Sequence, residues 1–153
     1  MLTALGIDDG DLTAGGLMEE IGVVLSYCGV GLVMMLLGFI LVDLLTPGRL
    51  RDLIWTERNH NASVLVTTGF VAQGIIVIAA IWASSDDFGE GLITTIAYSI
   101  IGLLVSTVVF LVVDLMTPSS MRRDMVHAEP HPASWVVGTL RIVVSGIIAL
   151  AII

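Results

Sequence analysis

Four apolar stretches, residues 21–45, 62–83, 92–116 and 133–153, are each long enough to cross a membrane, and this constrains the fold more than any other feature. About 20 helical residues span roughly 30 Å of hydrocarbon. In lipid every backbone N–H and C=O must be satisfied within the segment, so each stretch is expected to be a helix. The period-two alternation of a membrane barrel is missing. The expected fold class is an all-α membrane protein with four transmembrane helices. Hydrophobic types make up 56% of the 153 residues and charged types 13%. Mean hydropathy is +1.01. Those values exclude a water-soluble globule and a disordered chain. The net charge is −8, with no lysine, so no phosphate-reading surface for nucleic acid can be assembled. A single cysteine, Cys28, rules out an intramolecular disulfide and a cysteine-based metal knuckle. The first residues have no basic region before Asp8, Asp9 and Asp11, so no signal peptide is expected there, and no lipidation signal is visible.

The arginines set an expected orientation. Arg49, Arg51 and Arg58 lie in the first loop, and Arg122 and Arg123 in the third; the N-terminal segment and the second loop have none. Basic residues stay on the cytoplasmic side, which places loops one and three inside and both termini outside. The outer face then carries Asp8, Asp9, Asp11, Glu19, Glu20, Asp86, Asp87 and Glu90 with no basic neighbour. Such a field is expected to attract cations.

The chain is also self-similar. Val42-Asp-Leu-Leu-Thr-Pro47 recurs as Val113-Asp-Leu-Met-Thr-Pro118, an offset of 71 residues. The same gapless offset pairs His60 with His131, Tyr27 with Tyr98, Gly31 with Gly102, Phe39 with Phe110, Arg51 with Arg122 and Thr68 with Thr139. Apolar composition alone does not align Asp, Thr-Pro, Arg and His in one register. The expected organisation is an acidic outer segment (1–18) followed by two tandem two-helix repeats (19–83 and 90–153) in one membrane domain. Two spans per unit give both copies the same orientation, unlike the inverted repeats of many transporters.

With its duplicated two-helix unit, Asp-Leu-Leu-Thr-Pro-Gly turn and Asn-Ala-Ser entry to the following helix, the chain over about residues 19–153 resembles the YjfL-like family. The second copy departs from the pattern: Ser119 stands in place of Gly48 and Pro132 in place of Asn61. The resemblance implies a small bacterial inner-membrane protein of four helices and a domain of unknown function. It implies no reaction, ligand or catalytic residue.

The polar residues near or within the spans are the candidate sites. Asp43 and Asp114 each sit about one turn before a proline that ends a helix. An acid there opposes the helix dipole. Each carboxylate is expected to accept bonds from loop N–H groups or arginine; ion or proton handling at the cytoplasmic mouth is the functional alternative. Thr46-Pro47 reads as the start of a short amphipathic helix in the headgroup layer, with Trp55 as its anchor. His60, His131, Arg51 and Arg122 form a candidate cytoplasmic-loop site. Each His is far from its Asp and at no ligand spacing, so a metal centre is not expected. Gln73, near the centre of the second span, is expected to bond a neighbouring helix. Small residues (Cys28, Gly31 and Gly38; Ser99, Gly102 and Ser106; Ser134 and Gly138) allow close helix approach, within the bundle or between subunits. Asn61-Ala-Ser63 matches a glycosylation sequon but falls on the cytoplasmic side.

Arg141 is the only basic residue inside a span, and its counterpart in the first copy is Phe70. Side chains on a helix lean toward its N-terminus, so Arg141 and Asp114 lean toward one another and Asp43 lies within range. Pairing with Asp114 or Asp43 is the leading expectation, snorkelling to headgroups the rival, and a ligand-facing role the third. No nucleophile elbow, phosphate loop or zinc motif is present, so no enzyme activity and no cofactor are expected. The leading functional expectation is an oligomeric or scaffold component of the plasma membrane. The alternative is a small channel or transporter at an oligomer axis.

Overall fold

The computed structural model describes residues 14–45, 50–85, 87–116 and 132–153. These form five helices: α1 (Ala14–Leu45), α2 (Leu50–Trp55), α3 (His60–Trp82), α4 (Phe88–Met116) and α5 (Pro132–Ile152). No strand occurs among the described residues. All but α2 are long and apolar enough to span a membrane. The chain is therefore an all-α protein of four transmembrane helices, as the apolar runs predict.

Helix α1 begins seven residues before the apolar run does. Glu19 and Glu20 mark the end of hydrophobicity, but helix continues past them, because helix needs only satisfied backbone bonds and not an apolar face. At 1.5 Å per residue the 32 residues of α1 reach about 48 Å, well beyond the roughly 30 Å of hydrocarbon.

Helix α3 is the centre of the bundle. It packs against α1, α4 and α5, most extensively against α5. Half of its apolar window is buried, against 11% of that of α1. The entry to α3 is fixed locally. Asn59, fully buried, accepts a bond from the Ala62 N–H at 3.1 Å, and its own N–H donates to the Leu53 carbonyl at 2.8 Å. An N-cap of this type satisfies one of the donors that a helix start leaves open. Arg58, just before it, has φ 51°, the left-handed turn that brings the chain from α2 into α3. The second copy begins α5 differently, with Pro132 as its first residue, where a missing N–H costs nothing.

A short helix, α2, follows the Thr46-Pro47 signal, whose own residues lie outside the described ones. Leu53 is buried among Val42, Ala62, Leu65, Phe110 and Val137, closing one end of the bundle, while Trp55 is exposed. Trp55 and Trp135 at this end and Trp82 at the other are all largely exposed, the disposition of interfacial anchors. A second apolar cluster, Met34, Val77 and Leu103, lies toward the other end.

Candidate functional site

Between the two apolar clusters, α1, α3, α4 and α5 enclose a polar recess. Its volume is about 20 Å³, and its walls include Gly38, Gln73, Ser106, Thr107, Phe110 and Arg141. About 10–15 Å³ is needed to hold one water, so the recess is of water size and far too small for an organic substrate.

Glycine makes the recess possible. A Cβ on Gly38 would lie 3.2 Å from Cγ of Gln73, and one on Gly69 would lie 3.3 Å from Nη1 of Arg141. The two polar side chains therefore lie against bare backbone. Gln73 is 5% exposed, and its Nε2 has no hydrogen-bond partner. The bond to a neighbouring helix expected from Gln73 is not made by this nitrogen.

Arg141 lines the same recess. Its Nε and Nη1 are buried without a hydrogen-bond partner. Its Cζ lies 5.2 Å from the centroid of the Phe110 ring, within cation–π range. Neither of these two nitrogens bonds Asp43. Asp43 is half-buried in the last turn of α1, but the Gly69 notch and the Phe110 face direct the guanidinium between α3 and α4. Snorkelling is not seen in these two nitrogens either. Asp114 belongs to the last turn of α4, and its side chain lies outside the described residues.

The Phe110–Arg141 contact has a counterpart. Phe39 and Phe70, each 71 residues earlier, stack with centroids 5.8 Å apart and planes within 5°. The same two helix positions therefore meet in each half of the chain, once as two rings and once as a ring and a guanidinium.

Of the candidate cytoplasmic-loop residues, two lie among the described residues. His60 is exposed at the start of α3, its ring 6.3 Å from that of Trp135, and Arg51 is exposed on α2. His131 and Arg122 lie outside the described residues. No group of three His, Cys, Asp or Glu side chains close enough to hold a metal occurs among the described residues.

Most of the small residues singled out in the sequence pack inside the bundle. Ser99, Gly102, Ser106, Ser134 and Gly138 are buried; Cys28 is exposed. The sequence did not reveal that three buried hydroxyls, Thr95, Ser99 and Ser145, have no partner. Thr68 and Thr107, by contrast, donate to the carbonyls of Val64 and Leu103 one turn back, at 2.8 and 2.7 Å. Sequence spacing cannot distinguish the two behaviours, because either rotamer suits a helix. Asp87 has a structural role that its place in the acidic set concealed. Its Oδ1 accepts from the N–H groups of Gly89 and Glu90 at 3.0 and 3.1 Å, capping α4.

Four membrane-length helices around a water-sized polar recess define a multi-pass integral membrane protein. The chain belongs to the family described as Domain of Unknown Function (DUF350), whose model matches residues 16–152. It is 30% identical over 148 residues to a UPF0719 transmembrane protein of Mycolicibacterium paratuberculosis, covering 97% of this chain and 98% of that one. It is 34% identical over 147 residues to a UPF0719 transmembrane protein of Mycobacterium bovis, covering 96% and 97%. The expectation of a small bacterial membrane family of unknown function holds. No solved structure matches the chain.

Proposed function

We propose that the protein is a non-enzymatic, self-associating component of the bacterial plasma membrane, a subunit or scaffold that meets its own copies along α1. The observation that carries this reading is the surface of α1. Only 11% of its apolar window is buried in the bundle, and Gly15, Gly22 and Gly29, one heptad apart, have nothing within 4 Å of where a Cβ would stand. Seven residues bring a helix back to within about 20° of the same line. A glycine in a helix interior costs about 1 kcal/mol relative to alanine, and lipid chains give nothing back for it. A second helix backbone, approaching closely, does.

Leu25, 65% exposed between Gly22 and Gly29, is the place to test it. In a Cys28→Ser background, Leu25→Cys is expected to cross-link into dimers or higher species in native membranes. Gly22→Leu with Gly29→Leu is expected to abolish the cross-link while the monomer stays folded. A purely monomeric mass in mild detergent, together with no cross-link in membranes, refutes the reading.

A conduit is the second reading. It is favoured by the buried, unpartnered hydroxyls of Thr95, Ser99 and Ser145 and by Gln73. Ion flux in liposomes that disappears with Gln73→Leu would establish it over the first. In either reading, loops one and three face the cytoplasm, and the acidic outer face concentrates cations, which by itself does not imply transport.

A further inference from the structure

Helix α2 has two faces of different chemistry. Leu53 is buried in the apolar cluster that closes this end of the bundle, and Ile54 packs beside it. Arg51, Asp52, Trp55 and Thr56 are exposed. These four are the described walls of an open-sided hollow of about 560 Å³. Binding sites for small organic groups have volumes of about 300–1,000 Å³, so this hollow, unlike the recess inside the bundle, admits one.

The chemistry of the walls narrows what fits. Residues three and four apart are neighbours on a helix surface, so the Trp55 indole adjoins both the Arg51 guanidinium, four residues before it, and the Asp52 carboxylate, three before it. Among the described residues neither charge is held in an ion pair. Trp55 is 71% exposed, and an indole face attracts a cation. The depth is set by the fold: α2 lies between the last residue of α1 and the first of α3, two membrane spans, and therefore at the level of the lipid headgroups. An anionic headgroup without a cation gains from Arg51 but is repelled by Asp52. A zwitterionic one, with a phosphate and an ammonium joined by two carbons, satisfies both. A choline headgroup has the charges but no N–H to donate to a carboxylate; an ethanolamine headgroup has three.

We propose that the exposed face of α2 binds the headgroup of phosphatidylethanolamine, with the phosphate on Arg51 and the ammonium between Asp52 and the face of Trp55. The site lies on α2, so it stands or falls apart from self-association along α1.

The chain has three tryptophans, so Trp82→Phe with Trp135→Phe leaves Trp55 as the reporter in the full-length protein. Its fluorescence is quenched in liposomes by brominated phosphatidylethanolamine, phosphatidylcholine or phosphatidylglycerol, each titrated into the same unbrominated host. Phosphatidylethanolamine is expected to quench at about two- to fivefold lower mole fraction than the other two, the preference that a solvent-accessible charge pair gives. Asp52→Asn is expected to remove the preference over phosphatidylcholine, and Arg51→Gln to weaken quenching by phosphatidylethanolamine. Both residues are exposed, and circular dichroism checks that the helices are retained. With Trp135 as the only tryptophan the three lipids are expected to quench alike. Equal quenching of Trp55 by the three lipids, a preference for phosphatidylglycerol, or a preference that survives Asp52→Asn overturns the proposal. The same preference at Trp135 makes it a property of the bilayer and overturns it too. Loss of the preference on adding water-soluble glycerophosphoethanolamine makes the ligand a soluble one and overturns the lipid as occupant.

Discussion

Helices α3 and α5 form the most extensive contact in the bundle, and it depends on the missing side chain of Gly138. A Cβ built there would lie 2.6 Å from Cγ2, 2.9 Å from Oγ1 and 3.1 Å from Cβ of Thr68. Ordinary contact begins near 3.4 Å, so Gly138→Ala forces a separation of several tenths of an ångström. Thr68 cannot easily give way. It is buried, and its Oγ1 is held by the carbonyls of Val64 and Leu65 at 2.8 and 3.2 Å. Overpacking of this kind costs about 1–3 kcal/mol. Alanine recovers about 1 kcal/mol of helix propensity. The expected net loss is about 0–2 kcal/mol, up to a factor of roughly 30 in the unfolding equilibrium. Reversible unfolding in mixed detergent micelles measures it. Thr68→Ala removes both of the nearest atoms, so in that background Gly138→Ala is expected to be milder by about 1 kcal/mol or more. If Gly138→Ala stabilises the protein, or if the two substitutions add within about 0.3–0.5 kcal/mol, the close α3–α5 contact is wrong.

The glycines paired by the 71-residue offset are expected to respond differently. Gly102→Ala meets Cγ2 of the fully buried Ile76 and destabilises by about 1–3 kcal/mol, whereas Gly31→Ala finds Val77 at an ordinary 3.5 Å and is neutral or stabilising in the same unfolding assay. Asn59→Ala removes the cap of α3 from a buried position and is expected to cost about 1–2 kcal/mol, read as a lower unfolding midpoint. For orientation, an impermeant maleimide applied to intact cells is expected to label Phe88→Cys but not Thr56→Cys, both in a Cys28→Ser background; the opposite pattern reverses every statement about the two faces.

The amino-acid sequence by itself determined the number of spans, their helical state and the short α2, because these follow from one-dimensional quantities: the length of each apolar run and the punctuation of Thr46-Pro47. It also pointed to Arg141 and Gln73 as the polar groups needing an explanation, since an arginine inside a span is costly wherever the neighbours fall. The tertiary structure decided what those residues face. A lean along the helix axis was legible in the sequence but an azimuth was not, and on α5 the azimuth sets the guanidinium against Phe110 and the Gly69 notch. The same distinction separates the glycines. Gly31 and Gly102 match in sequence, yet only Gly102 stands against a side chain with no room to move, because closeness depends on the distance between helix axes, which no residue spacing records. The open faces of Gly15, Gly22 and Gly29 were equally hidden. Which side of an apolar helix meets its own bundle, and which is left for lipid or another copy, is settled only when all four helices pack together.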